Sequence, residues 1–412
     1  MNTYSERRVV ISGHGIVSAA GFGAGAYVSA LKNASSLIQS DPVHNTYGAF
    51  IHEQNFKDMI EKTGYQFPNG LKGALSAIRR MPDEIKAAVY AAAEAASNVR
   101  PLEDRSRIAV IGAGTNIFNG YTYRIHEEYR DKLSFISPSY ALNHLDTNLV
   151  GVISSLFDIR GEGMTVGSAS ASSLTALMTG YRMVKAGFAD RCVIVAAPSV
   201  LGDAELQSYL NLGAMRTYDE AVHSDRASSP FDKKTGGFIR GEGAACLVID
   251  AVSGDIPKNS IEILSCATVL DGNHLSNPSP EGEETVMRKA LKEAGILPEE
   301  VDYINAHGTG TPLGDRTEAE AIRRVFGNRP VVNSDKGIIG HCLNSAGLCE
   351  IISTVIQMKE GFVHGLSNLS EPVIDGVDFA NRQTVSRSIR IAQKNAFAFG
   401  GINVSCVLKN EV

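Results

Sequence analysis

No apolar run in the chain reaches the ~18 residues that a membrane-spanning helix needs, so a helical membrane protein is not expected. Positive charge is not in excess either. Thirty-nine Lys and Arg face 45 Asp and Glu, a net charge of −6, which argues against nucleic acid as a partner and leaves only a local basic patch open. Metal- or redox-type cysteine pairs are missing. Cys192, Cys246, Cys266, Cys342, Cys349 and Cys406 lie far apart, mostly in apolar stretches, and none forms C-x-x-C. Buried free thiols in a reducing cytoplasm are the expectation. Residues 1–8 hold no apolar segment of the kind a secretory leader carries and run straight towards a strand.

What is present suffices for a large core: 412 residues, 43% of them hydrophobic. Forty glycines point to many tight turns and close backbone approaches. Residues 8–12 read as a buried strand followed by Gly13-His14-Gly15. This partial G-x-G-x-x-G has Ser18 at its third glycine position, so a dinucleotide fingerprint is not assigned. Residues 40–75 show no strong period and read as an irregular surface excursion. Helices are expected over 82–99, 140–157, 283–295 and 317–326. Strands are expected over 107–112, 191–197, 244–249, 261–267 and 301–306, with two more flanking Gly400-Gly401 and a polar, Gly-rich loop over 221–243. Strands alternating with helices predict an α/β architecture with largely parallel sheets.

The chain is organised around residues 160–190, a short strand, a tight turn and a helix. Leu174, Leu177, Met178, Tyr181 and Val184 keep a helical period, and Gly187 sits where a C-cap glycine belongs. Small residues at the helix start let other backbone pack close, and the helix N-terminus turns unpaired N–H groups towards the turn. Taken alone, this reads first as a Ser-rich cap on a buried helix. Residues 170–188 can be laid on 344–362 without gaps: both are small-residue turns running into helices that end Lys-x-Gly-Phe. A duplicated α/β half, with the two turns facing each other across a pseudo-twofold, fits that echo.

Three further stretches carry chemistry: Asn305-Ala-His-Gly-Thr-Gly-Thr311, Ser334-Asp-Lys-Gly-Ile-Ile-Gly-His341 and Asn395-Ala-Phe-Ala-Phe-Gly-Gly-Ile-Asn403. Two histidines beside glycines at C-terminal strand ends lie where α/β sheets place their sites. With these, the opening Val-Val-Ile-Ser-Gly-His-Gly-Ile-Val-Ser, Pro230-Phe-Asp-Lys, Gly241-Glu-Gly243, Ala346-Gly347, Glu350 and Phe399-Gly-Gly401, the sequence resembles the β-ketoacyl synthases of the thiolase fold over nearly its whole length. The resemblance implies a duplicated βαβαβ, five-layer fold and a homodimer. It also implies a first half, residues 1–250, carrying Ser170 and a second, residues 251–412, carrying His307, Lys336 and His341.

The departure lies at the nucleophile. The family reads Thr-Ala-Cys-Ala/Thr-Ser/Thr, and here Ser168-Ala-Ser170-Ala-Ser172 stands in its place. A helix N-terminus can lower a cysteine pKa from about 8.5 to roughly 3.5–7.5, whereas a serine hydroxyl needs a strong, oriented base. No Ser-His-Asp relay is evident, so acylation of Ser170 is expected to be very slow. The resemblance assigns the rest of the site. His307 and His341 donate to the malonyl thioester oxygen, Lys336 and Glu350 support the second histidine, and Phe399 gates the malonyl group. The backbone N–H groups of Phe399 and Ser170 form the oxyanion hole.

Loss of the thiol with both histidines kept removes acylation and condensation and leaves decarboxylation. The expected activity is therefore conversion of malonyl to acetyl acyl carrier protein, as in the family's Cys→Ser decarboxylase branch. Such proteins serve polyketide β-branching cassettes beside hydroxymethylglutaryl-CoA-synthase-like enzymes. Two alternatives stand beside it: an inactive chain-length-factor-like partner of an active ketosynthase, and a synthase that does acylate Ser170. No dissociable cofactor or metal is expected, since the substrate arrives on the carrier protein's phosphopantetheine. Lys72, Arg79 and Arg80 lie where such synthases present basic residues to the acidic carrier protein, and an ordinary solvated face would look the same.

Overall fold

A computed structural model describes residues 7–52, 55–273 and 277–411; the N-terminal residues 1–6, read above as leading into the first strand, lie outside these. Ten strands form the frame: β1 (Arg8–Ser18), β2 (Ile108–Ala113), β3 (Gly163–Val166), β4 (Arg191–Ala196) and β5 (Gly243–Val252), then β6 (Ser260–Leu270), β7 (Tyr303–Asn305), β8 (Val331–Asn333), β9 (Ile391–Ala398) and β10 (Ile402–Glu411). The first five run in the order β3-β2-β4-β5-β1, and the second five in the equivalent order β8-β7-β9-β10-β6. Each half has two parallel pairings followed by two antiparallel ones. The halves meet where β1 pairs antiparallel with β6 through Val10 and Ile11. This is the duplicated fold that the resemblance implied.

Six helices complete the layers: α1 (Asp83–Ser97), α2 (Thr147–Phe157), α3 (Ser172–Lys185), α4 (Pro280–Ala294), α5 (Pro312–Phe326) and α6 (Ala346–Glu360). α1 and α2 cover the first sheet, and α4, backed by α5, covers the second. α3 and α6 lie between, each touching strands of both halves, and α6 is buried at every position through Met358. Their starts cross closely. A Cβ on Gly347 would stand 3.0 Å from Ser173 Oγ and 3.1 Å from Leu174 Cβ, and the Leu348 N–H donates to Ser173 Oγ at 3.1 Å. The small residues at both helix starts are therefore what lets the two turns approach.

Four expectations need correction. The sheet is mixed rather than largely parallel: β1, β5, β6 and β10 pair antiparallel throughout. Strands buried on both faces give the same apolar run whatever their direction. Residues 40–75 are not irregular. They hold the strands Gln39–Asp41 and Thr46–Ala49 and the helices Phe56–Lys62 and Gly70–Ile78, each too short to show a period. The helix read over 140–157 is broken into Tyr140–Asn143 and α2, because the Asp146 carboxylate between them accepts the N–H groups of Asn116 and Ile117 at 2.9 and 2.8 Å. Gly13-His14-Gly15 does not end its strand. Cβ atoms on Gly13 and Gly15 would lie 2.1 Å from the Ala95 and Ala91 carbonyls, so these glycines let α1 lie against β1.

Candidate active site

The turn before α3 is fixed by its own serines. Gly167 passes so close to Thr115 that a Cβ would meet its hydroxyl at 1.8 Å, and Ala169 takes a left-handed φ of 45°. Ser172 Oγ accepts the Ser168 N–H at 2.8 Å and donates to the Ala169 carbonyl at 2.7 Å. Ser168 and Ser172 thus tie the turn, and Ser170 between them faces a cavity of about 660 Å³. His307, His341 and Phe399 line the same cavity.

His307 follows β7, and the second half holds it from both sides of the chain. Glu318 on α5 accepts the N–H groups of His307 and Gly308 at 2.8 and 2.7 Å, and Lys336 Nζ donates to the His307 carbonyl. His341 is set by the glycine-rich loop of residues 221–243. Its N–H donates to the Ile239 carbonyl at 2.7 Å, and its carbonyl accepts from Gly241 at 2.8 Å. A Cβ on Gly241 would lie 2.2 Å from the Ile339 carbonyl, which explains the glycine there. The rings of His307 and His341 meet edge to face, with centroids 5.5 Å apart.

The protonation of His341 can be read from its partners. The Leu343 N–H donates to Nδ1 at 3.3 Å, so Nδ1 is the acceptor of a neutral ring and Nε2 carries the proton. Nε2 lies 2.9 Å from Ser170 Oγ and donates to it. Burial, reinforced by Lys336, holds both imidazoles well below the usual histidine range. His341 in this tautomer has no free lone pair to take a proton from Ser170. A nucleophilic serine needs the opposite arrangement.

Lys336 and Glu350 form a buried ion pair, but Lys336 donates to the His307 carbonyl, so the pair supports the first histidine and not, as expected, the second. Phe399 sits in the turn between β9 and β10, 42% exposed, its ring 6.3 Å from that of Tyr209. Two aromatic residues outside the sequence assignment pack on the imidazoles: Phe397 against His307 at 6.0 Å and Phe238 against His341 at 5.6 Å. Phe397 in β9, two residues before Phe399, and Phe238 within the glycine-rich loop were visible signals. Asp315 and Glu283 also line the cavity. Burial pushes Asp315 up to about 7 and Glu283 well above the carboxylate range. The structure does not bring Lys72, Arg79 and Arg80 into this cavity. All three are exposed on or just after the helix Gly70–Ile78, and Arg79 borders a separate cavity of about 910 Å³. Among the described residues, no group of three or more His, Cys, Asp or Glu is placed to hold a metal ion, and no helix is long and apolar enough to cross a membrane.

Residues 6–253 match the family described as beta-ketoacyl synthase, N-terminal domain, and residues 261–370 match the corresponding C-terminal domain. The chain is 37% identical over 310 residues to the polyketide biosynthesis malonyl-ACP decarboxylase PksF of Bacillus subtilis (strain 168), a match covering 74% of this chain and 75% of that protein. It is 28% identical to 3-oxoacyl-(acyl-carrier-protein) synthase 2 of Coxiella burnetii over 98% of each chain. Among solved structures, the ishigamide ketosynthase/chain length factor superposes with a TM-score of 0.84 at 26% identity, over 98% of this chain and 99% of that one.

Proposed function

The chain belongs to the β-ketoacyl synthase family, and from that premise we propose that it decarboxylates malonyl acyl carrier protein to acetyl acyl carrier protein in polyketide biosynthesis. The observation that carries this reading is the His341 tautomer: its Nε2–H points at Ser170 while Nδ1 is occupied by the Leu343 N–H. Such a pair cannot activate the serine, but it can donate to an oxygen. In the reaction the bond between the malonyl α-carbon and its carboxylate breaks and carbon dioxide leaves. The electron pair moves onto the α-carbon and the thioester oxygen, and a proton from solvent water then adds to that carbon. His307 and His341 donate to the oxygen as its charge grows, with Ser170 beside them and the N–H groups of Ser170 and Phe399 facing the carbonyl. Lys336 and Glu350 hold the backbone beneath. No dissociable cofactor is required, because the substrate is carried on phosphopantetheine.

The decarboxylase named among the relatives supports the substrate assignment, and the serine at position 170 supports a place in β-branching cassettes beside hydroxymethylglutaryl-CoA-synthase-like enzymes. The exposed Lys72, Arg79 and Arg80 offer an acidic carrier protein a basic face. Six free, buried cysteines suit a reducing cytoplasm. We divide the chain into the halves 1–250 and 251–412, the first carrying Ser170 and the second both histidines. Incubated alone with malonyl carrier protein, the protein should yield acetyl carrier protein by intact mass and no acetoacetyl product when an acetyl donor is added. Malonyl carrier protein left unchanged would instead favour an inactive, chain-length-factor-like partner.

The assembly proposed is a homodimer. β3 ends the sheet, its outer edge unpaired among the described residues, and Met164 on it is 38% exposed, so pairing with the same strand of a second copy would satisfy that edge. Light scattering should give twice the chain mass of 44.0 kDa. A monomer would reject this assembly.

A further inference from the structure

The mechanism above uses Lys336 and Glu350 but leaves a second buried lysine without a role. Lys394 lies in β9, where parallel register pairs it with Asn305 of β7, just before the Ala306-His307 peptide. It is 0% exposed, and a lysine is almost never so unless paired. The acceptors around its Nζ are all oxygens: the Ala306 carbonyl at 3.3 Å, the Asn395 carbonyl and Glu350 Oε2. The Glu350 contact is an ion pair at 2.8 Å, off the hydrogen-bond axis. Glu350 Oε1 meanwhile meets Lys336, which also donates to the His307 carbonyl. Two ammonium groups thus hold successive carbonyls of the peptide that bears the first imidazole, and one carboxylate from α6 ties them together.

We propose that Lys394 is a positioning residue for the decarboxylation: its ammonium is a built-in cation in an oxygen cage, fixing the Ala306-His307 backbone so that His307 meets the thioester oxygen. Lys336 and Lys394 share the carboxylate of Glu350, and Glu318, the other acid whose charge acts on Lys394, accepts the N–H groups of His307 and Gly308. The charge of the two ammonium groups acts on both His307 and His341. It adds to burial in keeping both rings neutral, and it favours the negative charge that develops in front of them.

The kinetic part of the test rests on the decarboxylase reading; the binding part does not. Lys394→Ala leaves an oxygen-lined hole, whereas Lys394→Met fills it without charge. A misplaced donor costs about 10²-fold, so kcat should fall by about that factor in both variants with KM little changed. Ammonium chloride in excess should restore kcat in Lys394→Ala only, and tetramethylammonium chloride at equal ionic strength should not. Ammonium should likewise raise the melting temperature of Lys394→Ala selectively, leaving the unmodified protein and Lys394→Met unmoved. This arm needs no substrate, so it separates failure of the cage from failure of the decarboxylase reading. A Lys394→Ala chain with unchanged kcat, or one that ammonium neither stabilises nor folds better than tetramethylammonium does, overturns the proposal. Stabilisation by ammonium without recovery of kcat in a decarboxylating protein overturns the positioning role.

Discussion

Replacing His307 or His341 by alanine should lower single-turnover decarboxylation by about 10²–10³-fold, the cost of losing one donor aimed at a developing oxyanion. Ser170→Ala should keep most of the rate. The difference follows from what each group does in the transition state. Both imidazoles line the cavity, and burial keeps them neutral donors, so each deletion removes an interaction that strengthens as charge builds. Ser170 only accepts the His341 Nε2–H in the resting site. That bond must be released when His341 turns to the substrate, so its loss costs no more than about 0.5–1.5 kcal/mol, roughly tenfold at the limit. A stable acetyl or malonyl adduct on Ser170 by intact mass, with an inactive Ser170→Ala, would reverse the assignment and make the protein a serine acyltransferase.

The grouping of Ser170, His307 and His341 in one cavity was legible in the sequence because these residues sit in punctuated places. His307, Lys336 and His341 stand near strand ends beside glycines, and backbone contacts demand glycine around them, as at Gly241 against the Ile339 carbonyl and Gly340 against the Arg240 carbonyl. The duplication was legible in α3 and α6 because both helices run long enough to show a period and end on left-handed glycines, Gly187 and Gly361. Strand direction was not legible, since nothing in an apolar run distinguishes β7 beside β9 from β10 beside β9. Lys394 escaped notice for a related reason. Gln393-Lys394-Asn395 reads as a solvated break in a strand, yet all three are fully buried. Their partners come from β7, α4, α6 and β10, and sequence separation hides such contacts. The Leu343 N–H that sets the His341 tautomer is a backbone group, and no residue type announces it.

Ser170→Cys should turn the turn before α3 back into a reactive centre, and by a large factor. A thiol at this helix start meets the unpaired N–H groups of the first turn and the His341 Nε2–H, both of which favour the thiolate. A shift from about 8.5 towards roughly 3.5–7.5 raises the ionised fraction at neutral pH from a few per cent to about a quarter or more. Serine gains nothing comparable. Iodoacetamide should then add one equivalent to Ser170→Cys within minutes and none to the unmodified protein. The background is low because all six native cysteines are buried, and burial raises the thiols of Cys192, Cys246 and Cys266 far above the reactive range. Acyl thioesters should acylate the same variant, and with malonyl carrier protein present the acyl group should pass to the carbanion left by decarboxylation, yielding some 3-ketoacyl product. Condensation would show that the fold lacks only the thiol for full synthase chemistry. A Ser170→Cys variant that decarboxylates at the normal rate yet resists both iodoacetamide and acyl thioesters would mean the turn no longer activates a nucleophile, and that its divergence reaches beyond the one substituted atom.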